Sequence, residues 1–150
     1  MTTIALYNHT VSKFADGTFG QADTYKLVLL NQASVTAFDP ADATLTAVLS
    51  GETEVSGNGW TAGGVTLTSV EIVLKDTDDA MFNAANIDSI TATGGAIGPA
   101  YGGVIINSTE ADSPPVALID FEGAKTADLG TNFNVTWHAD GIVEFVYNAA

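Results

Sequence analysis

The chain has 150 residues, the size of one ordinary domain with a core large enough to need no staples. Eighteen acids stand against four lysines and no arginine, giving a formal net charge of −14, and there is no cysteine. With so few cations to neutralise phosphates, neither a nucleic acid nor an anionic membrane is expected as a partner, and a chain without thiols forms neither disulfides nor thiolate metal sites.

Hydrophobic residues make up 46% of the chain and charged ones only 15%, too apolar a mixture for disorder. No run reaches the roughly 20 apolar residues a membrane span requires. Met1-Thr2-Thr3-Ile4-Ala5-Leu6 has neither a basic region nor a long apolar stretch, so no secretory signal is expected there.

Ile4 and Leu6 alternate weakly before a polar Asn8-His9-Thr10, and Gly17 and Gly20 punctuate a loop. The run Tyr25-Lys26-Leu27-Val28-Leu29-Leu30 is short, apolar and β-prone, which predicts a buried strand. One helix is expected next. Asp39 can cap it, Pro40 takes its first position and Asp42 its first turn; Leu45, Val48 and Leu49 share a face, and Gly51 ends it. A glycine-rich loop, Ser56–Gly64, precedes a pattern in which Val70, Ile72 and Leu74 point one way and Glu71, Val73 and Lys75 the other. Met81-Phe82, Ile87–Ile90, Tyr101–Ile106 and Val116–Phe121 are further strand-like pieces, with breaks expected at Gly94-Gly95 and Gly98-Pro99. At the C-terminal end Phe133, Val135 and Trp137 alternate with polar residues. Asp140-Gly141 then predicts a hairpin turn into Ile142–Tyr147. Together these predict a single all-β domain over residues 1–150, a β-sandwich or barrel-like fold with at most one short helix.

The constellations that could carry chemistry are weak. Gly57 and Gly59 begin a G-x-G-x-x-G pattern, but Ala62 takes its last position and a β-patterned run follows instead of a helix; a tight turn requiring positive φ is the better reading. His9 and His138 are the only histidines, in polar positions and without a nucleophile-elbow motif, so an enzyme is not expected. Asp76, Asp78 and Asp79 have a spacing that can start a cation site, but lack the glycine and closing glutamate of a calcium loop; a solvated acidic turn is expected, with no metal and no cofactor.

Several stretches resemble a family of small structural proteins of tailed phages. They are Leu6-Tyr7-Asn8-His9-Thr10-Val11, Asp23–Leu30, the loop Glu54-Val55-Ser56-Gly57-Asn58-Gly59-Trp60-Thr61-Ala62-Gly63-Gly64, and Asn132–Val143, in the family's order. The resemblance implies a non-enzymatic virion component. A capsid decoration or cement protein, held on the virion surface by the major capsid protein, is the first expectation. Self-association is expected with it, a trimer at a threefold position being the natural closed form. A tail or tail-fibre component is the alternative. A carbohydrate-binding or hydrolytic module, with Trp60, Trp137 and Tyr101 as stacking platforms, is the second. The expected contact elements are the N-terminal segment with Tyr7 and the loop residues Ser56, Gly57, Asn58, Gly59, Trp60 and Thr61.

Overall fold

The computed structural model describes residues 3–31, 38–75 and 77–146. The fold is all-β, with two sheets and two short helices. In chain order the elements are β1 (Thr3–Leu6), α1 (Thr10–Ala15), β2 (Tyr25–Leu30), α2 (Leu45–Gly51), β3 (Glu54–Val55), β4 (Val65–Thr66), β5 (Glu71–Leu74), β6 (Ala80–Asn83), β7 (Ile97–Asn107), β8 (Pro115–Ala127) and β9 (Val143–Phe145). Six strands form one antiparallel sheet in the order β1-β8-β7-β2-β3, with β4 on the same edge of β2 as β3. Leu29 and Leu30 face Val55 and Glu54, while Lys26 and Leu27 face Thr66 and Val65, so β3 and β4 act as one strand interrupted by residues 56–64. The second sheet is β5-β6-β9.

The large sheet is covered on both faces, which explains why its central strands read as continuous apolar runs. Alternate residues of a strand point to opposite faces. Tyr25, Leu27 and Leu29 face the smaller sheet, where they meet Phe82 and Val143 together with Phe133 and Val135. Val28 and Leu30, with Val104, Ile106 and Leu118, face the other way and pack on Val48, Leu45 and Leu49 of α2, Phe38 and Tyr7. Full burial of each such side chain stabilises the fold by about 1.5–3 kcal/mol.

The helix expected from Asp39 begins later. Thr44 is the N-cap, its side chain accepting from the Ala47 N–H at 3.1 Å. Asp39 caps a turn instead, accepting from the Ala41 N–H, and the Asp42 N–H returns to the Asp39 carbonyl at 3.1 Å. The predicted apolar face of Leu45, Val48 and Leu49 is the one that docks on the sheet. The six-residue α1 adds a second helical segment. Its N-cap position, His9, makes no side-chain cap, and tertiary bonds hold it: the Thr10 hydroxyl donates to the Val116 carbonyl at 2.6 Å. Phe14 of this helix closes one end of the sandwich against Phe19, Phe82 and Phe145, with ring centroids 5.2–5.4 Å apart.

Two further expectations are corrected. Gly98-Pro99 lies inside β7, where the pairing with β8 shifts register, so the chain bends there but the strand continues. The Asp140-Gly141 turn forms, with the Gly141 N–H donating to the His138 carbonyl, but its two flanks do not pair with each other. Val135 bridges to Ile87 and β9 pairs with β6, so both flanks complete the second layer against residues 80–92. A local turn does not by itself choose strand partners. Tyr147 lies outside the described residues.

Candidate functional site

The glycine-rich loop is a tight hairpin. Gly57 and Trp60 exchange both backbone hydrogen bonds, at 2.8 and 3.0 Å, and Asn58 and Gly59 between them have φ of 54° and 109°. Positive φ at both central residues is the requirement of a two-residue hairpin turn, which the Asn-Gly pair meets. The turn is clamped to residues 91–96. The Thr93 N–H donates to the Asn58 carbonyl at 2.7 Å, and Asn58 Nδ2 donates to the Ala96 carbonyl at 2.8 Å. A side chain at Gly59 would collide with the Thr91 carbonyl. The loop is thus a rigid turn and not a phosphate cradle.

Trp60 is not an exposed anchor. It is 1% exposed and sits edge-on to Phe133, 5.3 Å away, inside the chain's own core. Tyr7 is likewise 3% exposed, facing Phe38 beneath the large sheet. Trp60 closes the Asn58-Gly59 turn, whereas Tyr7 directly follows β1, ahead of the turn at Asn8-His9. Of the expected contact residues, Ser56, Gly57, Asn58, Gly59 and Thr61 are exposed.

Each histidine has a partner within the fold. His9 Nε2–H donates to the Pro115 carbonyl at 2.8 Å, and its ring lies near Tyr7 and Phe19. His138 is 76% exposed and pairs with Asp140, whose other oxygen meets Lys75 at 3.0 Å. Lys75 also pairs with Glu144, which ties β5 to the end of the chain. These partners hold the Asp140 carboxyl below the usual range, the Lys75 hydrogen bond first. Among the described residues no Ser or Thr hydroxyl hydrogen-bonds either imidazole, and no three His, Asp or Glu side chains converge as metal ligands. Asp76 lies outside the described residues, so the expected acidic turn is seen only through Asp78 and Asp79.

The electrostatic outlier is Glu52. It ends α2, is only 6% exposed, and its Oε2 has no hydrogen-bond partner among the described residues. Burial, and then the charge of Asp42, pushes its carboxyl up to about 7. Burial also raises the nearby Tyr7 hydroxyl, with Glu52 and Asp42 adding to the effect.

Sequence reasoning did not find a groove of about 720 Å³ between the two layers. Ile4, Ile119 and Phe121 form its wall on the large sheet, and Phe133, Val135 and Trp137 its wall on the other layer. Residues 124–127 complete the lining, among them the exposed Lys125. Trp137 is one of the three candidate stacking residues, but its indole N–H donates to the Ala85 carbonyl at 3.0 Å and its ring is half-buried. Trp60 is in the core, and Tyr101 does not line the groove, so the three aromatics do not assemble into one platform.

No helix among the described residues is long and apolar enough to cross a membrane. Comparison with protein-family models, curated proteins and solved structures finds no match to this chain.

Proposed function

We propose that this chain is a non-enzymatic structural protein of a tailed-phage virion, a decoration or cement protein that stabilises the capsid through contacts to the major capsid protein. The observation that carries the reading is the state of the loop with the sharpest resemblance. Glu54–Gly64 is locked by backbone bonds and by its clamp to residues 91–96, yet it presents Ser56–Gly59 and Thr61 to solvent. A contact element already held in its bound shape loses little conformational freedom on docking. The groups that suggested chemistry support the fold instead: His9 is bonded to the β8 backbone and the glycines build a turn.

Shell stabilisation then comes from interfacial burial, worth roughly 25 cal/mol per Å² before association costs. With 18 acids and four lysines, the chain's own lysines cannot neutralise most of the acidic charge, which suits a basic face on the partner and keeps assembled particles apart. Co-sedimentation with purified shells tests the contact element. Ser56→Arg with Thr61→Arg keeps the thermal midpoint and lowers occupancy at least tenfold. Full occupancy by that variant removes the loop from the interface.

A further inference from the structure

The second layer of the sandwich ends in an unfinished strand edge. In the extended run Asn132–Trp137, the N–H groups of Phe133 and Val135 donate to the carbonyls of Ile90 and Ile87, at 2.9 and 2.8 Å, and that of Trp137 to Asn86 Oδ1 at 2.9 Å. Backbone groups of successive residues in an extended chain point to opposite edges. The N–H groups of Asn134 and Thr136, between these bonded positions, have no hydrogen-bond partner among the described residues, and both residues line the groove. Asn132 is held in place from its side chain, which donates to the Asp88 carbonyl at 2.7 Å and accepts from Thr91 at 2.8 Å.

Proteins usually protect such an edge with charges, proline or a bulge. Asn132-Phe133-Asn134-Val135-Thr136-Trp137 has no charge and no proline, and alternates β-prone residues with polar ones. Directly beside it lies an apolar trough with Phe121 and Ile4 on the far wall. On a molecule of net charge −14, none of the groove's lining residues is Asp or Glu, and they include Lys125, one of only four lysines.

We propose that this groove is a strand-addition site, in which an extended segment of a partner protein pairs with the backbone of Asn134 and Thr136 and buries alternate apolar side chains against Phe121 and Ile4. Main-chain pairing provides the affinity and the trough reads every second side chain. The missing carboxylates and Lys125 favour a neutral or mildly acidic segment, and the rest of this surface would repel an acidic one. A second copy fits less well, since two chains of net charge −14 repel each other. The inference rests on the assembly reading but fails separately from it. Loss of peptide binding leaves a protein found in particles untouched, and peptide binding by a protein absent from particles sinks only the virion role.

The test is selection of a random decapeptide library on the wild-type protein, counter-selected against Asn134→Pro. Proline there removes an N–H that the fold does not use, and its fixed φ is tolerated on an edge strand. The expected result is enrichment of peptides with apolar residues at alternate positions. Their affinity drops at least tenfold for Asn134→Pro and for Thr136→Pro, with cross-peaks between peptide amides and residues 134–136. Should either variant unfold, N-methylation of alternate amides of the selected peptide gives the same loss on the wild-type protein. No enrichment, equal binding by the folded variants, or binding unchanged by N-methylation overturns the proposal. So does sedimentation as a dimer that Asn134→Pro dissociates, which assigns the edge to a second copy, and so does binding of maltohexaose in the groove without any peptide.

Discussion

Glu52 and Gly59 show how single residues set this structure's tolerances. The Glu52 carboxyl, raised from its ordinary 4.5 to about 7, is more easily protonated in the folded chain than in the unfolded one. Its contribution is therefore fully favourable below about pH 4.5 and is lost as pH rises through about 7. Glu52→Gln should flatten the stability change between pH 5 and pH 8 by about 2 kcal/mol, read by urea unfolding at both pH values. An unchanged slope would mean the buried carboxyl is not the titrating group. At Gly59, φ of 109° combines with the Thr91 carbonyl blocking any side chain, whereas Gly57 has φ of 90° and open space. Gly59→Ala should cost about 2 kcal/mol or more in unfolding free energy and Gly57→Ala about 1 kcal/mol. Trp60→Ala should destabilise the fold by about 3–5 kcal/mol, as truncation of a core aromatic does. Its burial was not legible in the sequence because a tryptophan after an Asn-Gly turn can face either way; the clamp from residues 91–96 decides it.

At the scale of elements, what could be read and what could not divide along locality. The strands β2, β7 and β8 are visible as apolar runs because the sheet they build is buried on both faces. The face of α2 is visible as Leu45, Val48 and Leu49, but its start is not, since Asp39 and Thr44 both carry capping side chains and each is used, one in a turn and one at the helix. Thr44→Ala should accordingly cost about 1 kcal/mol in thermal or urea unfolding. Nothing local marks α1, which depends on bonds from His9 and Thr10 to β8. The Asp140-Gly141 turn is legible and the pairing of its flanks is not, because the turn does not by itself choose their partners, which lie in residues 80–92. The groove escapes for the same reason: it exists only where residues 119–127 and 132–138 are brought face to face.

For the whole molecule, two packed sheets carry a formal net charge of −14 and a groove whose lining holds no Asp or Glu. The charge implies that association with a basic partner face accelerates at low ionic strength and weakens with salt, since exposed charges are screened over about 10 Å at 0.1 M. The most direct measurement is the copy number of this chain relative to the major capsid protein in purified virions, by quantitative mass spectrometry. The decoration role predicts a ratio near one or a simple fraction of it. A handful of copies per particle would contradict it in favour of the tail, and complete absence would contradict any virion role.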